Sequence, residues 1–196
     1  MPLASTALVA AVLVAGCGGA GGSDSSSADT ISSVGTLSLS FTDAPTCGYD
    51  SVFVTIEKVR VDQSSLAGDS DAGWSEAVLA APQRVDLLTL KHGTLLPLGQ
   101  TELPARIYNQ LRLVLAANRA TSPLANAITP MGGTETPLTT PSGQQSGLKI
   151  NVNLAVPAGQ VADFAIDFDA GKSFVKAGNS GMYLLKPVRN DRYWAP

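Results

Sequence analysis

Three aspartates in Asp163-Phe164-Ala165-Ile166-Asp167-Phe168-Asp169 alternate with apolar residues. On a strand, this period of two puts Asp163, Asp167 and Asp169 on one face and Phe164, Ile166 and Phe168 on the other. Asp43, in the turn-like Thr42-Asp43-Ala44-Pro45, could converge on them. Hard oxygen ligands from a strand and a loop are what Ca²⁺ takes, so Asp43, Asp163, Asp167 and Asp169 form a candidate Ca²⁺ site. The same residues fit three plainer roles: a solvated acidic face, acceptors for turn backbone at Asp43 and Asp169, or an ion-paired network with Arg112, Lys172 or Lys186. Asp69-Ser70-Asp71 adds two acids without the EF-hand spacing and reads as a solvated loop.

Other chemistries have less to stand on. Gly171-Lys172-Ser173 has the end of a phosphate loop, but the position where that motif needs its first glycine is Ile166, and no helical pattern follows Ser173. His92, the single histidine, sits in the turn signal Leu90-Lys91-His92-Gly93, and no G-x-S-x-G elbow occurs. No catalytic residue is therefore assigned. A pair of carboxylates at hydrolytic spacing needs only two acids, which keeps a hydrolase as the remote alternative. Two cysteines and one histidine exclude zinc fingers and disulfide scaffolds. A net charge of −3 gives no electrostatic case for nucleic acid. Trp74, Tyr193 and Trp194 are candidate binding residues, because aromatic faces supply contact area for a glycan or protein at low entropic cost. The other reading makes Trp74 a core plug and leaves Tyr193-Trp194 docked back on the domain or exposed.

The N-terminal segment reads as an address. Residues 7–16 form an apolar run too short to span a bilayer but right for the core of a secretory signal, although Met1 to Thr6 carry no Lys or Arg. The run ends in Val14-Ala15-Gly16-Cys17, which resembles the bacterial lipobox. That resemblance implies cleavage before Cys17 and acylation of its thiol and new amino terminus, hence a membrane anchor. The alternative is an apolar strand with a chance cysteine. Gly18 at the following position favours, by the same resemblance, the outer membrane, with the protein periplasmic or surface-exposed. Residues 1–16 are then the signal peptide and 17–34 a Gly/Ser-rich tether of about 20–25 Å root-mean-square reach. Cys47 has no partner for an internal disulfide, and it reads as a half-buried small residue or as a site of intermolecular or ligand contact.

Residues 35–196 are expected to form an all-β domain. Gly (19) and Pro (12) are frequent, and the dominant period is two. Leu37, Leu39 and Phe41 share one face of a first strand. Val52, Val54 and Ile56 share another, but Val59 and Val61 fall out of phase, which predicts a β-bulge at Glu57-Lys58. Further strands are expected at 84–90, 107–115 (Ile107, Leu111, Leu113 and Leu115 inward; Tyr108, Gln110 and Arg112 outward), 148–156, 162–168 and 183–188, with Pro187 marking an edge. That makes about seven strands in an antiparallel β-sandwich, with 117–147 as a long insertion loop holding at most a short hairpin.

Several short motifs occur in order: Gly35-Thr36-Leu37, Thr42-Asp43-Ala44-Pro45, Val54-Thr55-Ile56, Gly73-Trp74, Val85-Asp86-Leu87-Leu88, Leu103-Pro104-Ala105, Tyr108-x-Gln110-x-Arg112-Leu113, Ser146-Gly147-Leu148-Lys149-Ile150, Asp167-Phe168-Asp169-Ala170-x-Lys172-Ser173 and Leu185-Lys186-Pro187-Val188. Their run resembles domain-of-unknown-function family 4382, found in exported bacterial and archaeal proteins, commonly lipoproteins. Arg106 stands where that family more often has glycine. The resemblance implies a transthyretin- or Ig-like Greek-key sandwich and supplies no activity. The expectation is a lipid-anchored, non-catalytic envelope module for binding or envelope structure. A Ca²⁺-dependent adhesion or carbohydrate-binding domain is the alternative.

Overall fold

The computed structural model describes residues 33–43, 47–120, 122–140 and 146–186. The expected signal segment, Cys17, the expected tether before Ser33, Pro187, Tyr193 and Trp194 lie outside these residues. Among the described residues the chain is built almost entirely of strands: β1 (Val34–Asp43), β2 (Tyr49–Asp62), β3 (Ser75–Asp86), β4 (Leu96–Pro104), β5 (Arg106–Leu115), β6 (Ala127–Pro130), β7 (Thr136–Thr139), β8 (Leu148–Val156), β9 (Val161–Phe168), β10 (Phe174–Lys176) and β11 (Tyr183–Leu185). A 3-10 turn at Leu87–Thr89 and a single helical turn, α1 (Ala170–Ser173), complete the set. Among the described residues there are eleven strands, against about seven expected.

The strands form two sheets. β4-β1-β9 is the smaller, and β10-β11-β7-β6-β2-β5-β8 the larger, with β3 on the other edge of β2. One apolar core joins them: Leu37, Leu39, Phe41, Leu98, Leu103, Phe164, Ile166 and Phe168 from the small sheet meet Val52, Val54, Ile56, Leu111, Leu113, Leu154 and their neighbours from the large one. The alternation in β1 therefore does what its sequence requires, with every second residue buried.

β2 organises the large sheet. Its register with both β3 and β5 shifts between Ile56 and Lys58, so the predicted bulge is present, and Val59 and Val61 rejoin Val52, Val54 and Ile56 on the core face. Bending there lets one edge of β2 serve two partners, β6 against Tyr49–Phe53 and β5 against Ile56–Asp62.

The expectation of a purely antiparallel arrangement is corrected. β1 pairs β9 in parallel, and β11 pairs β7 in parallel. The first follows from the turn after β8, which carries the chain across the core to the small sheet. There Gly159 (φ 66°) donates its N–H to Val34 O, and Thr36 N donates to Gln160 O. Gly35 has no alternative at this crossing, since a Cβ would lie 2.1 Å from Pro157 O.

Three local expectations also change, and a fourth, the short hairpin, is met. Ile107 is exposed and Tyr108 is in the core, because a second register shift, between Tyr108 and Gln110, swaps the faces; the Tyr108 hydroxyl donates to Pro104 O at 2.9 Å. The strand expected at 84–90 is the end of β3, followed by the 3-10 turn that Asp86 caps through Leu88 N. β11 lies between β10 and β7 and is not an edge. The segment 117–147 does contain a hairpin, β6–β7.

That hairpin is held by two asparagines. Asn126, 1% exposed, accepts Thr55 N on Oδ1 at 3.0 Å and donates from Nδ2 to Ala116 O at 2.6 Å. Asn118 spans Asn126 N and O and Leu138 O. Asn126→Ala would leave the buried Thr55 N–H and the half-buried Ala116 carbonyl without this partner, at about 1–3 kcal/mol each. Thermal unfolding should show a fall of several degrees, whereas an unchanged midpoint would contradict this role.

Candidate functional site

The acidic strand does not assemble as a four-aspartate site. Asp163 and Asp167 are separated by four residues of continuous strand, about 13 Å, and an ion cannot bridge that span. Asp163 is exposed and pairs in register with Ser38 of β1, whereas Asp167 lies beside Thr42. Asp43 and Asp169 are buried near the same end of the sheet. Asp169 caps α1: Oδ1 accepts Lys172 N at 3.1 Å, and Oδ2 takes the Lys172 ammonium at 2.7 Å. This is the turn-capping and ion-pairing alternative. Among the described residues no group of three or more His, Cys, Asp or Glu is arranged to hold a metal ion. Gly171-Lys172-Ser173 lies in a four-residue helical turn that passes directly into β10, so no helix stands behind it to receive a phosphate.

The densest cluster of chemistry-bearing side chains lies under the loop joining β2 to β3. On the outer face of the large sheet, Arg60 pairs in register with Arg112 and Asp62 with Gln110. The loop folds over these four residues. Ala67, buried, turns its carbonyl inward to accept from Arg112 Nη2 at 2.8 Å and Gln110 Nε2 at 3.3 Å. Asp69, expected to be solvated, forms an ion pair with Arg112, which also donates to Ser146 O. Asp71 caps the loop's own turn by accepting Gly68 N.

Trp74 closes this arrangement and does not plug the core. It is half-buried at the loop's end, with Nε1 donating to Gly68 O at 2.7 Å. The guanidinium groups of Arg60 and Arg112 lie 4.6 and 4.8 Å from its ring centroid. Each such contact contributes on the order of 0.5–2 kcal/mol as desolvation increases. Glu76 balances the charge, meeting Arg60 Nε at 3.1 Å and the Lys58 ammonium at 2.9 Å. Gly73 is fixed by Asp62: a Cβ there would lie 2.5 Å from the buried Oδ2, while Oδ1 accepts Ser64 N.

At the opposite end of the strands a chain of aromatic rings leads from core to surface. Phe41 and Phe168 are 6.0 Å apart, Phe168 and Phe174 6.3 Å, Phe174 and Tyr49 6.2 Å, and Tyr49 and Tyr183 6.3 Å, the last pair edge to face. Burial, then the neighbouring Tyr183 phenol, raise the Tyr49 hydroxyl above the ordinary tyrosine range. Cys47, two residues before Tyr49, is exposed and not half-buried. His92 is also exposed and turns the chain with φ 63°.

Of the candidate residues, the structure thus unites Trp74 with Arg60 and Arg112, which sequence reasoning did not place together. Their meeting depends on the β2–β5 register, and only the outward position of Arg112 was readable beforehand. Cys17, Tyr193 and Trp194 fall outside the described residues. Comparison with known families finds one match, described as a domain of unknown function (DUF4382), over residues 34–187. No curated protein and no solved structure matches.

Two outcomes follow from this geometry. Trp74→Ala should release the loop, lowering the unfolding midpoint and speeding hydrogen exchange at residues 63–74; unchanged exchange there would contradict the clasp. Millimolar Ca²⁺ against chelator should leave the midpoint in place, because Asp169 is committed to α1 and Asp163 is out of reach. A bound ion at 100 times its dissociation constant would add about 2.7 kcal/mol, so an upward shift would overturn this view of the aspartates.

Proposed function

This chain belongs to the DUF4382 family of domains of unknown function, and we propose that it is a lipid-anchored, non-catalytic module of the bacterial envelope that works by binding or by structural contact. The observation that carries the reading is Val14-Ala15-Gly16-Cys17 at the end of a short apolar run, followed at once by a Gly/Ser-rich tether. Diacylglycerol plus an amide-linked chain anchors firmly where a single acyl chain would not, since each buried CH₂ contributes about 0.8 kcal/mol. Gly18 after the lipidated cysteine supports delivery to the outer membrane.

The fold suits such a role. The tether joins the domain at Ser33, whose carbonyl accepts Ala105 N beside the β4–β5 turn. β1 then runs ten residues to Asp43, about 33 Å along a strand. The connections at the far end, 87–95, 131–135 and 177–182, are therefore the ones held away from the anchored end, where loops on a rigid scaffold commonly make contacts. We read the two sheets as a transthyretin- or Ig-like sandwich, a reading supported by their common core.

Replacing the lipidated residue tests the anchor. Cys17→Ser should move the protein from the membrane fraction to the soluble fraction while leaving its unfolding midpoint unchanged. A variant that stays equally membrane-associated would contradict the proposal.

A further inference from the structure

Among the described residues, three polar atoms under the β2–β3 loop are sealed from solvent with no hydrogen-bond partner: Asp62 Oδ2, Gln110 Oε1 and Arg112 Nε. Their residues are 4%, 0% and 5% exposed. The rest of each side chain is already engaged. Asp62 accepts Ser64 N on Oδ1, Gln110 donates from Nε2 to Ala67 O, and both terminal nitrogens of Arg112 have partners. Arg60 Nε is a fourth buried atom of this kind, but it faces the Glu76 carboxylate at 3.1 Å. The other three have no such neighbour, and buried polar groups are ordinarily met by protein or by ordered water.

The three atoms belong to one small volume. Asp62 and Gln110 stand opposite each other in register across β2 and β5. Gln110 and Arg112, two apart on β5, turn to the same side, since both donate to Ala67 O. Gly73 backs Asp62 so closely that a Cβ there would lie 2.5 Å from Oδ2. A ligand enclosed here must be very small, and the three atoms set its chemistry. Two acceptors call for two donated protons, and one N–H calls for a lone pair. A cation, ammonium included, cannot accept from Arg112 Nε, and a halide cannot donate. The charges of the cluster also balance, with Lys58, Arg60 and Arg112 against Asp62, Asp69 and Glu76, which favours a neutral ligand. Water has both functions, and buried waters typically make about three hydrogen bonds. We propose that one internal water molecule is bound beneath the β2–β3 loop, donating to Asp62 Oδ2 and Gln110 Oε1 and accepting from Arg112 Nε. It is then part of the clasp and links β2 to β5 under the loop. The inference does not rest on the lipid anchor.

A crystal structure of the full chain tests this without any substitution. The expected result is one solvent peak about 2.7–3.2 Å from all three atoms. Direct pairing of Asp62 Oδ2 with Arg112 Nε or with a reversed Gln110 amide would overturn the proposal. So would a peak held by oxygens at about 2.3–2.6 Å, which would be a cation. In solution, ¹⁷O magnetic relaxation dispersion counts long-lived internal waters. Gln110→Met keeps the side-chain length and removes the acceptor, so the variant should hold one such water fewer than the unmodified chain. An unchanged count in a variant that still unfolds cooperatively would overturn the assignment.

Discussion

Strand β2 must keep one apolar row on the core through fourteen residues while bending to serve three neighbours. The slip at Glu57 meets that constraint. Without it, every residue beyond Ile56 would change faces: Val59 and Val61 would turn outward, and Arg60 and Asp62 would enter the core. The bulge therefore does two things. It closes the core against β1, and it delivers Arg60 and Asp62 to the outer face opposite Arg112 and Gln110.

What lies on that outer face follows from burying charge. Arg112 is only 5% exposed, and a buried guanidinium is tolerated when its hydrogen bonds and charge are met. For its two terminal nitrogens the β2–β3 loop supplies Ala67 O, the Asp69 carboxylate and the Trp74 ring, with Ser146 O adding a contact from the segment before β8, while Nε stays without a hydrogen-bond partner among the described residues. Gly73 and Trp74, adjacent in sequence, serve this one purpose from two sides: the first makes room for Asp62, and the second covers the arginines. The cluster is a clasp that fixes a loop.

Legibility in the sequence varied with the length of the pattern. β1 and β8 alternate over nine or ten residues, so their faces were plain, and the phase break in β2 located its bulge. Tyr108 was misplaced because the second bulge comes within three residues of the strand's start, too early for periodicity to reveal it. β6, β7 and β10 have only three or four residues each and owe their strand geometry to neighbours, whereas β11 falls within the expected strand at 183–188. Asp163 and Asp167 did share a face of β9, as their spacing said, but Asp169 falls past the strand as the cap of α1, and period alone ignores the rise of about 3.3 Å per residue that keeps Asp163 from Asp167. Trp74 looked like core because its partners, Arg60 and Arg112, lie 14 residues before it and 38 after.

We propose that this two-sheet domain is held at a membrane through Cys17. Mass spectrometry of the N-terminal peptide of the mature protein, isolated from bacterial membranes, addresses it directly. The expected product is a peptide that begins at Cys17 and carries thioether-linked diacylglycerol. A peptide that begins elsewhere, or an unmodified Cys17, would contradict it.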